Sequence, residues 1–367
     1  MKKSFDIKRV IRPHIFDLIP YSSARDEYTG KVGVFLDANE NPLGSVPTGS
    51  VPTGAGLSVD YNRYPDPHQV LIKEKLAPIK GVQPNQIFLG NGSDEAIDLL
   101  VRATCTPGRD SLLIMPPTYG MYEVSAAIND VETIKVPLTP DFLLDTAAIL
   151  GAVQPNTKLI WVCSPNNPSG NLVQAEAIET LLNSFEGLVI VDEAYIDFAP
   201  VSSWNQRLAE FPNLVVLQTF SKAWGLASLR LGMCFASPEL IAILDKIKPP
   251  YNLSGPTQQL LYNALDEEET KNELVKQILA EREKLQHALS EVPGVLKIYP
   301  SDANFLLVEF ENAADVMAYL LAEYIIVRDR SKVTLCAGCL RITVGTEAEN
   351  EVLLNALKKF QQNSVIA

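Results

Sequence analysis

Between residues 86 and 236, short β-rich runs alternate with amphipathic stretches, and this alternation limits what the chain can become more than any other feature. The runs read QIFL (86–89), SLLIM (111–115), VETIKV (131–136), KLIWVC (158–163), GLVIVD (187–192) and LVVLQT (214–219). Helical patterns at 93–103, 118–128 and 174–184 separate several of them. Strands that are apolar at nearly every position have no solvent face, so the pattern predicts an α/β fold: a mostly parallel sheet with helices on both sides. In such sheets ligands bind beyond the carboxyl ends of the strands. Chemistry is therefore expected in the turns that directly follow the runs.

The segment KPPYNLSGP (248–256) reads as a boundary. Beyond it a charged helix near 266–291 leads to strand patterns at 295–299, 304–310, 325–328 and 340–344, with helices near 313–323 and 347–361. This predicts a smaller α+β domain. Residues 30–250 are expected to form the large domain, and 1–29 with 251–367 the small one. A tandem SVPTG at 45–49 and 50–54 is too short a repeat for a solenoid and reads as a surface loop at 44–56.

Composition excludes several function classes. The net charge of −13 argues against a nucleic-acid or anionic-membrane surface, and no apolar run reaches the ~20 residues of a membrane helix. Charges and prolines in MKKSFDIKRVIRPHIFDLIP interrupt any signal-peptide core, so a cytoplasmic protein is expected. The cysteine count, five, is odd and fits a reducing compartment. Cys336 and Cys339 have C-x-x-C spacing, but no second pair completes a zinc set, and they read as ordinary thiols; no metal is expected. Only three histidines occur, at 14, 68 and 287, and no G-x-S-x-G elbow is present. Catalysis must rest on other groups.

The turns after the runs supply them. GNGSDEAI (90–97) lacks the third glycine of a dinucleotide fingerprint, but its glycine turn and Ser-Asp-Glu helix start suit a single phosphate. SPNNPSG (164–170), DEAY (192–195) and FSKAWGLASLR (220–230) follow the next strand runs. Each residue alone has a plain structural reading: Asp192 a cap, Lys222 a loop lysine, Arg230 a salt bridge. A phosphate turn, an asparagine, a carboxylate, a tyrosine, a lysine and an arginine in this order fit pyridoxal phosphate, which needs an amine for its aldehyde and an acid against its ring nitrogen.

SPNNPSG, DEAY, TFSKAWGLASLRLG (219–232) and LRITVGT (340–346) resemble the fold-type-I pyridoxal-phosphate aminotransferases. PYSSAR (20–25), LDANENPLG (36–44), NRYPDP (62–67), GNGSDEAI, PPTYGMY (116–122) and IIVRDR (325–330) bring the likeness closer to the histidinol-phosphate branch, over about residues 13–346. The resemblance implies Lys222 as the Schiff-base lysine and proton carrier, and Asp192 as partner of the pyridinium nitrogen. It implies that Tyr195 and Asn167 bond the ring hydroxyl and that Tyr119 stacks on the ring. Ser93, Asp94, Ser221 and Arg230 would hold the phosphate, with Tyr64 reaching it from the other subunit of a homodimer. Tyr21, Asn39, Arg328 and Arg341 would line the substrate side.

The implied reaction interconverts histidinol phosphate plus 2-oxoglutarate with imidazole acetol phosphate plus glutamate, in histidine biosynthesis. An aromatic amino-acid aminotransferase, a phosphothreonine decarboxylase and a non-catalytic cofactor-binding regulator are the rival readings. Ser228 departs from the glycine usual in that turn, and the SVPTG duplication lengthens the stretch between Asn39 and Tyr64.

Overall fold

The computed structural model describes residues 5–20 and 61–366. Its larger sheet contains β1 (Ile87–Asn91), β2 (Ser111–Ile114), β3 (Glu132–Lys135), β4 (Thr157–Cys163), β5 (Leu188–Asp192), β6 (Leu214–Thr219) and β7 (Leu231–Phe235), in the order β1-β7-β6-β5-β4-β2-β3. The pairs among β2 to β6 are parallel, as the sequence predicts. The central strands are apolar throughout because both faces are covered. Leu159 and Trp161 of β4, Ile190 of β5 and Leu217 of β6 face one core, with the helices Gly92–Thr104 and Pro238–Ile247. Ile160, Val191 and Val216, their neighbours along the strands, face the other core.

β7 is a strand the pattern did not reveal. LGMCF begins immediately after Arg230, with no helical stretch before it, so nothing in the alternation announces a new strand. It runs antiparallel to both β1 and β6. A strand reversed in this way starts where its neighbours end, so Arg230 stands at the carboxyl edge of the sheet. Gly232 lies under the first turn of helix Gly92–Thr104, and a Cβ there would sit 2.1 Å from Ser93 N.

The smaller sheet is antiparallel, in the order β10-β11-β9-β8, with β8 at Val295–Ile298, β9 at Phe305–Phe310, β10 at Arg328–Asp329 and β11 at Cys339–Thr343. One face buries Leu306, Val308, Leu340 and Ile342 under helices Ala313–Ala322 and Glu347–Ile366. The other carries Phe305, Leu307 and Cys339 into the core of the large sheet, so the two sheets share apolar packing. The strand expected at 325–328 shrinks to Arg328–Asp329. Ile325 and Val327 still pack on the small core, but from a loop.

The expected domain grouping changes at both ends. Val10 and Ile11 are buried with the large sheet's outer helices, Arg12 Nη1 donates to Arg102 O at 2.9 Å and Lys246 Nζ to Phe16 O at 2.8 Å. The described N-terminal segment therefore belongs to the large domain, not to the small one. Leu253, Leu261 and Leu265 are likewise in the large core, beyond the expected limit at 250. The 23-residue helix Glu268–Ser290 makes the passage, with Val275 in the large core and Leu285 and Leu289 in the small one.

Replacing Gly232 with Ala should force helix Gly92–Thr104 off β7, since the clash is with backbone. Overpacking of this kind costs about 1–3 kcal/mol, read as a lower denaturant midpoint at unchanged m-value.

Candidate active site

Asp192 closes β5 and is 2% exposed. By strand alternation it faces the same layer as Leu188 and Ile190. Tyr122, stacked on Trp161 with ring centroids 4.8 Å apart, donates its hydroxyl to Asp192 Oδ2 at 2.6 Å, and Ala194 N donates to Oδ1 at 3.1 Å. Burial pushes this carboxyl up to about 6, and the two hydrogen bonds pull the other way. Among the described residues Asp192 forms no ion pair. It is a buried acid with room for a cationic partner.

Lys222 follows β6 in a turn fastened to β7. Phe220 N and Thr219 Oγ1 both donate to Leu231 O, and Ser221 N donates to Thr219 Oγ1. The Nζ lies 5.8 Å from the centre of the Tyr195 ring. Burial first, then the positive charges of Arg341 and Arg230, hold its pKa below that of an ordinary lysine, which favours the nucleophilic amine.

Gly92 opens its helix at φ +72°, and its N–H donates to Arg230 O at 2.6 Å. A Cβ at Gly92 would lie 2.8 Å from Arg230 Nη2, so a side chain there would displace the guanidinium. The N-cap Asn91 makes no side-chain cap bond to this helix, which leaves its first N–H groups, at Ser93 and Asp94, without a capping acceptor among the described residues. The Asp94 carboxylate is held aside by Tyr119 Oη at 3.0 Å and Arg230 Nη2 at 3.6 Å.

All the cofactor-side residues expected from sequence, save Tyr64, line one cavity of about 160 Å³: Ser93, Asp94, Tyr119, Asn167, Asp192, Tyr195, Ser221, Lys222 and Arg230. At its rim Arg341 Nη1 donates to Asn167 Oδ1 at 2.6 Å, with its guanidinium 5.2 Å from the Phe305 ring. Arg328 is opposite Arg341 on β10 and is exposed. Tyr64 stacks on Tyr251 at 4.4 Å and is 51% exposed, outside this cavity. Tyr21, Asn39 and the 44–56 loop lie outside the described residues. Ser228 is exposed and has no positive φ, so its turn does not require the glycine it departs from.

Two further residues shape the site. Tyr122 belongs to the PPTYGMY motif but had no role assigned; Tyr119 precedes the helix that carries Tyr122, and their rings meet edge-on at 5.5 Å only in the fold. Glu193, the second acid of DEAY, is 1% exposed and accepts from Ser203 Oγ, from Trp204 N at 2.7 Å and from Gln218 Nε2 at 3.0 Å. It ties the end of β5 to β6 behind Asp192. Burial pushes it up to about 7. Cys336 and Cys339 are buried thiols, raised by desolvation to about 11 and about 12.

The profile of the family described as aminotransferase class I and II matches residues 31–357. The chain is 54% identical over 357 residues to the histidinol-phosphate aminotransferase of Cytophaga hutchinsonii, covering 97% of this chain and 100% of that one. It is 51% identical over 356 residues to that of Parabacteroides distasonis, covering 97% and 99%. Among solved structures, the histidinol-phosphate aminotransferase of Sinorhizobium meliloti in complex with pyridoxal-5′-phosphate superposes with a TM-score of 0.75 at 25% identity, covering 82% of this chain and 84% of that one. The L-threonine-O-3-phosphate decarboxylase of Porphyromonas gingivalis gives 0.70 at 25% identity, covering 82% and 91%.

Glu193 predicts a pH signature. Its folded pKa, about 7, lies above the ordinary 4.5, so the folded state binds the extra proton between those values and stability falls as pH rises through that window. Glu193→Gln should remove that slope. The wild type should lose of order 2 kcal/mol relative to the variant between pH 4.5 and 7, measured by denaturant unfolding at several pH values.

Proposed function

Since the chain belongs to the class I and II aminotransferase family, we infer that its cavity binds pyridoxal phosphate. With that cofactor the enzyme transfers the amino group of L-histidinol phosphate to 2-oxoglutarate, giving imidazole acetol phosphate and L-glutamate in histidine biosynthesis. The observation that carries the substrate assignment is the identity of about half, over nearly full length, with relatives named for this activity.

The residues fit the cofactor. Asp192 is a buried carboxylate without a cation beside it among the described residues, and the helix start at Ser93 is uncapped next to Arg230. Pyridoxal phosphate supplies an electron sink that stabilises negative charge on the substrate carbon. Asp192 keeps the ring nitrogen protonated, with Tyr122 fixing the carboxylate. Ser93 and Asp94 N–H groups, Ser221 and Arg230 bind the phosphate, as helix starts and guanidinium groups do. Asn167 and Tyr195 orient the ring from its hydroxyl side, and Tyr119 covers a face. Lys222 Nζ holds the cofactor between turnovers and moves the proton at the substrate carbon, a task suited to an amine whose pKa is already lowered. Arg341, bonded to Asn167, receives an anionic group of the substrate, and Arg328 is the second cation. Tyr21 and Asn39 complete the substrate side.

The working form is a homodimer in which Tyr64 serves the other subunit's phosphate; its position outside its own cavity supports this. We assign the enzyme to the cytoplasm, because all five cysteines are buried free thiols and no helix among the described residues is long and apolar enough to cross a membrane.

Lys222→Ala should lower turnover to background while the fold persists. In a half-reaction titration, histidinol phosphate should convert the bound cofactor to its amino form, followed by absorbance, far faster than phenylalanine does. Faster conversion by phenylalanine would make this an aromatic aminotransferase, and carbon dioxide release from phosphothreonine would make it a decarboxylase. A protein that takes up the cofactor, as its absorbance shows, but converts none of these amines would be a regulator.

A further inference from the structure

Arg341 and Arg328 are not the only cations on this edge of the small sheet. Arg330 N donates to Cys339 O at 2.9 Å, which continues the β10–β11 pairing one step beyond Asp329. Alternation along the strand then puts Arg328 and Arg330 on the face that bears Arg341 and Cys339. That is the face turned to the large sheet, where Cys339 and Phe305 are in the shared core. Asp329 falls on the opposite face and accepts from Ser331 N at 2.7 Å.

Arg330 and Arg341 have the same defect. In both, the Nε–H is buried without an acceptor among the described residues. Neither forms an ion pair among the described residues. Burial and then the charges of Arg341 and Arg328 hold Arg330 below the ordinary arginine range. Buried donors are nearly always satisfied, so each orphan calls for an acceptor that the described residues do not supply. Three guanidinium groups within mutual influence call for more negative charge than one carboxylate carries.

Resting on the reading of histidinol phosphate as amino donor, we propose that Arg330 is a specificity-determining residue that supplies a further guanidinium to the substrate's phosphate. Each of glutamate's two carboxylates brings two oxygens and a single charge to its own place in the site. A phosphate monoester offers three oxygens and up to two charges at one place, so it engages more than one arginine fork there, as a single carboxylate does not need to. Arg330 thereby favours the phosphorylated substrate over glutamate within a site that must accept both in turn.

The test compares the wild-type holoenzyme with Arg330→Gln and Arg330→Lys. R330Q should raise KM for histidinol phosphate about tenfold, equivalent to about 1.4 kcal/mol, and KM for glutamate less than about threefold. kcat should change much less than KM. Inorganic phosphate, used as a competitive inhibitor against glutamate, should weaken by about the same factor as the phosphorylated substrate. R330K keeps the charge without the fork and should fall between the two. An equal rise in KM for both substrates, a fall in kcat at constant KM, or unchanged KM and phosphate inhibition overturns the proposal. If R330Q does not fold, R330K decides: a wild-type KM for the phosphorylated substrate overturns it. Should the wild type fail to use histidinol phosphate, the reading of the donor fails, while the inorganic-phosphate comparison still decides the role of Arg330.

Discussion

The backbone of Arg230 and Leu231 fastens the two halves of the cavity together. Arg230 O receives the Gly92 N–H, and Leu231 O receives Phe220 N and Thr219 Oγ1. One short stretch thus holds the phosphate-side helix start and the lysine turn to a common rim. It can do so because β7 enters between β1 and β6 in reverse, so that its first residues meet their last ones. Gly232 lets the helix backbone approach, and Gly92 leaves room for the Arg230 guanidinium. Had β7 been parallel, Arg230 would stand at the opposite edge of the sheet.

Within that rim the electrostatics run against the molecule as a whole. The chain carries −13, yet Arg341 and Arg230 both act on Lys222, beside a cavity whose acid Asp192 is only 2% exposed. Asp192 is stabilised by Tyr122 and a backbone N–H, not by a fixed cation, which leaves its charge available to a bound ring nitrogen. Lys222 is pushed toward its neutral form by the same arginines that attract anions. In the proposed reaction one set of positive charges would therefore both receive the substrate and prepare the amine.

Behind the cavity, Glu193 and Gln218 lock the ends of β5 and β6, so the lysine turn and the acid are held by buried hydrogen bonds as well as by the sheet. The small sheet adds Arg341 through its shared core at Phe305 and Leu307, which fixes the arginine against Asn167. The site is thus assembled from the large sheet's edge and one face of the small sheet. Its substrate side depends on how these two pack.

The sequence by itself determined the layered α/β sheet and the cavity's residues. Doubly buried strands must be continuously apolar, and the polar groups such a sheet can use are confined to its turns. Asp192, Asn167, Lys222 and Arg230 were legible for that reason. Tertiary structure alone decided the direction of β7, the docking of Val10 and Ile11 on the large domain, and the partnership of Tyr122 with Asp192. None of these has a local signature: an antiparallel strand and a parallel one share the same apolar run, and a hydrogen bond across 70 residues is invisible to spacing. Arg330 belongs to this second group. Its place beside Arg341 comes from strand register, which only the folded sheet sets.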